Sequence, residues 1–147
     1  MVMVDERRRY PVSGPQLWKR LSDFYSLDWL PAVTSTRALP ELRTRSAILP
    51  GGGEITEALV EEGDQFHRYV VLGGGPLPVR DFEATLRVRD VDDSACEVVW
   101  QARFEAHGLS EPDARAVIER IFRDGLDHLA QLQGTLGGAR QNGSGSA

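Results

Sequence analysis

Between Val33 and Ala106, apolar and polar residues alternate in short runs that are broken apart by glycine, proline and aspartate. The segments VTSTRAL, RTRSAIL, EITEALVEE, QFHRYVVL, RDFEATLRVRD and ACEVVWQARFEA carry strand-like patterns bounded by turn signals. Their separators are Pro40, the glycines after Pro50, Gly63-Asp64, the GGGPLP stretch and Asp92-Asp93, so the connections are short and an antiparallel meander is expected. Residues 2–12 read as a further strand, giving about seven in all.

Two regions break this rhythm. In VSGPQLWKRL, Pro15 suits the first turn of a helix, Ser13 or Gly14 can cap it, and Leu17, Trp18 and Leu21 form its apolar face. A second short helical turn is expected from Tyr25 to Leu30, stopped by Pro31. From Glu111 to Gln133, Ala114, Val117, Ile118, Ile121, Phe122, Gly125, Leu126, Leu129 and Leu132 recur at three and four, the stripe of a long helix. Ser110 and Asp113 make a capping-box-like start, and the helix would be on the order of 35 Å long, enough to span a sheet. Residues 135–147 are low in complexity and rich in Gly and Ser, and are expected as a disordered tail on a single domain of residues 1–134.

Alternation assigns faces. Phe82, Ala84, Leu86 and Val88 turn inward on one strand, and Val98, Trp100, Ala102 and Phe104 on the next. EITEALVEE offers either Ile55, Glu57 and Leu59 or Thr56, Ala58 and Val60. In QFHRYVVL an inward, unpaired Arg68 would be costly, which favours His67, Tyr69 and Val71. Ala84, Ala102 and Gly125 are small at inward positions. A glycine inside a helix costs up to about 1 kcal/mol against alanine, so Gly125 requires either close helix-to-strand contact or clearance for a ligand.

Composition narrows the chemistry. A chain of 147 residues with a net charge of −5 has no basic stripe for nucleic acid, and alternation splits Arg7, Arg8 and Arg9 between two faces. The lone Cys96 excludes an internal disulfide, and without HxxxH, HExxH or a cysteine pair neither a metal site nor a cofactor is expected. No apolar run approaches the roughly 20 residues of a membrane span, and the charged N-terminus lacks an export pattern, so a cytoplasmic protein is expected. A monomer or a homodimer is expected.

Three inward polar residues are candidates for catalysis. Glu57 is placed either as a general base or ligand-orienting carboxylate, or as a charge paired with an arginine such as Arg80. His67 and Tyr69 share the neighbouring inward face and would form an acid–base group with Glu57, or simply line the core. GGGPLP lacks the following helix that a phosphate-cradling loop requires.

The order Val12, Gly14, Pro15, Leu17, Trp18, Phe24, Trp29, Pro31, together with GPLPVRDFEATLRV, resembles the START-like, polyketide-cyclase-like (SRPBCC) superfamily, which shares the birch-pollen-allergen fold. The resemblance implies an α+β helix-grip fold: a curved seven-stranded antiparallel sheet, two short helices and a long C-terminal helix over a central cavity. It implies a hydrophobic small-molecule ligand, with Trp29, Leu30, Leu77, Val79, Phe82, Ala84, Trp100, Ile118, Phe122, Gly125 and Leu129 as binding candidates. A more distant similarity to plant abscisic acid receptors sets Leu49–Gly53 at a gate loop and Leu77, Pro78 and Val79 at a latch loop. It also sets Glu57 at a cavity glutamate and Phe82 at a cavity tyrosine. Leu30 stands where those receptors have a ligand-carboxylate lysine, and the latch histidine and arginine are replaced, so a hormone receptor is not implied. The expected function is binding of a polyketide-, lipid- or aromatic-metabolite-like molecule in a dry, enclosed cavity gated by loops 49–53 and 73–80. The alternatives are a cofactor-independent cyclase, dehydratase or isomerase using Glu57 and His67, and a non-catalytic accessory protein that binds a partner.

Overall fold

Ser13 and Ser110 start the two α-helices among the described residues. In the computed structural model, which describes residues 1–142 and side chains as far as Gln133, Ser13 Oγ accepts the Gln16 N–H and Ser110 Oγ accepts the Asp113 N–H. Each hydroxyl satisfies one of the amides that a helix start leaves without a partner. The helices are α1, Gly14–Leu21, and α2, Glu111–Asn142.

The strands are β1, Val2–Tyr10; β2, Ser35–Leu39; β3, Thr44–Ile48; β4, Glu54–Gly63; β5, Phe66–Gly73; β6, Val79–Asp92; and β7, Ala95–Ala106. They form one seven-stranded antiparallel sheet in the order β1-β7-β6-β5-β4-β3-β2. The meander from β2 to β7 therefore ends against the N-terminal strand. Register shifts interrupt β4–β5 at Thr56/Glu57 and Leu59/Glu61, and β6–β7 at Arg80/Glu83, where Asp81 has a φ of 55°. Such bulges bend and twist a sheet, and this one curves around α2.

Helix α2 is fastened along β1. Tyr10 Oη donates to the Leu126 carbonyl at 2.8 Å, Arg123 pairs with Glu6 at 3.1 Å, and Arg8 pairs with Asp127. Beneath it lie Ala114, Ile118, Phe122, Leu126 and Leu129, packed on Val98, Trp100, Ala102 and Phe104. The inward sets on β6 and β7 are those that alternation gives, and Ile55, Leu59, His67 and Tyr69 are buried on β4 and β5.

Three expectations change. Residues 25–30 form turns in place of a second short helix, with Leu30 N–H donating to Leu27 O and Val33 N–H to Leu30 O. Asp23 Oδ1 takes the Tyr25 N–H, a local bond that competes with helical pairing. At the other end α2 continues to Asn142, so residues 135–142 extend the helix; 143–147, the rest of the expected tail, lie outside the described residues. Finally, the space beside Gly125 is occupied by protein. A Cβ there would stand 2.6 Å from Leu30 Cδ1, 3.2 Å from Trp29 Cζ3 and 3.3 Å from Trp100 Cζ3. Close packing, not ligand clearance, accounts for this glycine.

Gly125→Ala is therefore expected to destabilise the fold by about 1 kcal/mol in urea denaturation, overpacking outweighing the gain in helix propensity. A more stable variant would show that Leu30 and the two tryptophans yield freely.

Candidate functional site

Arg45 on β3 lies directly opposite Glu57 on β4, and both side chains point inward. Arg45 Nε donates to Glu57 Oε1 at 2.8 Å, with the two side chains only 6% and 12% exposed. Arg45 Nη1 donates to the Phe24 carbonyl at 2.6 Å. The guanidinium carbon sits 3.9 Å from the centroid of the Phe24 ring and 5.0 Å from that of Tyr69. A buried charge is tolerated only when paired and hydrogen-bonded, and here one side chain meets both conditions while joining two strands to the connection after α1.

Beside this pair is a largely apolar cavity of about 60 Å³. Leu30, Ala47, Ile55, Val71, Phe82 and Ile118 contribute to its wall, and Arg45, Glu57 and Tyr69 are its charged or hydroxyl-bearing groups. Drug-sized ligand pockets run to roughly 300–1,000 Å³. This one is narrower because aromatic rings fill the space between helix and sheet: Trp100 stacks on Phe122 at 3.9 Å with an interplanar angle of 5°, and Trp29 lies 5.3 Å from Trp100. Leu27, Arg45, Tyr69 and Trp100 also wall a second, smaller void.

Tyr69 is held between these features. Its hydroxyl oxygen accepts the Trp100 indole N–H at 3.1 Å, and burial raises its pKa, with the nearby Glu57 charge acting in the same direction.

The two glycine-rich loops meet at the mouth. Leu49 and Leu77 both reach the cavity, while Gly53 lies against Pro76 and Gly75 against the Glu54 carbonyl. At Gly75, φ is 53° and a Cβ would stand 2.3 Å from Glu54 O, so glycine is needed for this approach. Pro78 O accepts the His107 N–H at 3.1 Å, anchoring the second loop to the end of β7.

The candidate residues divide. Leu30, Leu77, Phe82, Trp100, Ile118 and Phe122 line the cavity with Glu57 and Tyr69. Trp29, Val79, Ala84 and Leu129 are buried without lining it, and Gly125 packs as described above. His67 does not join Glu57: it pairs in register with Glu62, whereas Glu57 lies opposite Val71, and the irregularity between Leu59 and Glu61 offsets the two residues further. Its ring instead sits 4.8 Å from Trp18 and 5.7 Å from Phe24. Arg80 is exposed and opposite Glu105; the partner of Glu57 is Arg45. Sequence alone does not single out Arg45: Arg45, Ala47 and Leu49 share one parity on β3 and the residue that follows it, but Ile48 places an apolar residue on the other parity too.

Residues 1–134 match the model of a family described as polyketide cyclase / dehydrase and lipid transport. No curated protein matches the sequence. Among solved structures, the protein XoxI from Bacillus cereus is 27% identical, with a TM-score of 0.87 over 92% of this chain and 98% of its own. An uncharacterised protein from Bacillus thuringiensis is 25% identical, with a TM-score of 0.85 over 90% and 98%. The Zhui aromatase/cyclase from a Streptomyces species, 14% identical with a TM-score of 0.71 over 99% and 97%, shares the fold. Among the described residues no helix is long and apolar enough to cross a membrane.

The environment of His67 has a measurable consequence. Burial and then the Arg45 charge lower its pKa from 6.5, against smaller opposing effects of Glu62, the Ser22 backbone and Asp23. Unfolding thus takes up a proton below about pH 6.5. This contribution to stability is full above that pH, is lost as pH falls toward the folded-state pKa, and is constant below it. Urea titrations of His67→Gln at pH 7.5 to 5 are expected to show a shallower fall in stability than the native chain; an equal slope would contradict the assignment.

Proposed function

The chain belongs to the polyketide cyclase/dehydrase and lipid transport family, and on that premise we propose that it binds one apolar small molecule between α2 and the sheet. The observation that carries this reading is the cavity itself: its apolar wall is interrupted only by the Arg45–Glu57 pair and Tyr69, a few fixed polar groups of the kind that orient a ligand. A family-scale ligand is larger than 60 Å³ allows, so binding requires Leu49, Leu77 and the loops that carry them to move outward. The loop glycines and the shared wall of the second void are consistent with such an expansion. The expected setting is the cytoplasm.

A catalytic reading is the second possibility, favoured by the presence of Glu57 and Tyr69 on the wall. It would be a cofactor-independent cyclisation, dehydration or isomerisation. Because Glu57 Oε1 is engaged by Arg45 and His67 lies elsewhere, such chemistry would depend on the Arg45–Glu57–Tyr69 group.

Native mass spectrometry of freshly purified protein is expected to reveal a bound small molecule that is lost in Ala47→Leu, whose larger side chain occupies the cavity. Ala47 is 2% exposed and on the cavity wall, so the added carbons have no route to solvent. Absence of a bound mass, together with no uptake of added apolar probes, would contradict the proposal.

A further inference from the structure

Tyr69 is 4% exposed, and its oxygen accepts a hydrogen bond from Trp100 Nε1. An indole nitrogen can only donate, whereas a phenol both donates and accepts. The direction of the Trp100–Tyr69 bond is therefore fixed, and the tyrosine's own proton must be given elsewhere. Among the described residues no acceptor receives it. Glu57 influences Tyr69 through its charge, while its Oε1 serves Arg45. Trp100 is in turn held by its stack on Phe122, so the Tyr69 oxygen is fixed in position beside a cavity that both residues line. Burial keeps the phenol protonated.

The ion pair adds a second restriction. Arg45 and Glu57 cancel in charge, and the bonds from Arg45 Nε to Glu57 and from Nη1 to the Phe24 carbonyl fix the guanidinium in place, its other N–H groups remaining as neighbouring donors on the wall. A ligand carboxylate would bring an uncompensated charge into an apolar cavity. A neutral carbonyl would instead supply the acceptor that the Tyr69 proton lacks.

We propose that Tyr69, oriented by Trp100, is the specificity-determining donor of the cavity, and that it selects neutral apolar molecules bearing a carbonyl-type acceptor. This inference rests on the small-molecule-binding reading above and assigns the polarity of its ligand.

Acetophenone and ethylbenzene provide a matched pair of probes, alike in shape but differing by a carbonyl in place of a methylene. Their affinities for the native chain and for Tyr69→Phe would be measured by calorimetry. The phenylalanine retains the ring packed near Arg45 and Phe24. The ratio of ketone to hydrocarbon affinity is expected to fall about three- to tenfold in the variant, the size of one net hydrogen bond. The infrared carbonyl stretch of bound acetophenone should lie at lower frequency in the native complex than in the variant. If ethylbenzene binds but the ratio and the stretch are unchanged by Tyr69→Phe, the selection of a carbonyl is wrong and the cavity reading survives. If neither probe binds the native chain, both are overturned.

Discussion

The buried contact between Arg45 and Glu57 constrains everything around it. Two charges removed from water must find each other and satisfy their remaining hydrogen-bonding groups, or the fold bears a penalty of several kcal/mol for each. Antiparallel register brings the two residues face to face, and the Phe24 carbonyl and ring complete the surroundings of the guanidinium. The irregular segment after α1 is thereby tied to the sheet without being a helix. Tyr69 then packs beside the guanidinium and takes its hydrogen bond from Trp100, so one ion pair organises the polar part of an otherwise apolar interior.

That interior is closed over a small cavity. The aromatic stack of Trp100 on Phe122 fills its centre, and Leu49 and Leu77 meet its mouth from opposing loops. The family relation and the shared fold place this geometry among proteins associated with polyketide cyclisation, dehydration and lipid transport. On the small-molecule-binding reading proposed above, a cavity of this size makes expansion, more than shape at rest, the property on which a ligand would depend. At Gly75 the second loop approaches the Glu54 carbonyl too closely for a Cβ, and Gly53 of the first loop lies against Pro76, so the two loops meet in close contact.

Much of the architecture was legible because strand and helix periods are set by local geometry. Phe82, Ala84, Leu86 and Val88 could be turned inward from RDFEATLRVRD alone, and rejecting a buried, unpaired Arg68 placed His67 and Tyr69 correctly on the buried face. The relation of one strand to the next was less accessible. The β4–β5 register sets Glu57 opposite Val71, several residues along the strand from His67, and the irregularity between Leu59 and Glu61 widens the gap, so shared inward parity did not bring Glu57 to His67. Arg45 was hidden for a related reason: an arginine in a polar-looking strand reads as solvated until its cross-strand carboxylate is known. Gly125 announced that something required space, but only the three-dimensional packing identifies Trp29, Leu30 and Trp100 as its occupants.

The most direct measurement is a double-mutant cycle in urea at pH 7 on Arg45→Met, Glu57→Met and the combined variant. If the pair is the organising constraint, each single replacement strands a buried charge and should lose about 3 kcal/mol or more, whereas the combined variant should lose far less than their sum. Small single losses that simply add would contradict the account, showing that each charge is solvated independently and that the cavity's polar wall is held by other contacts.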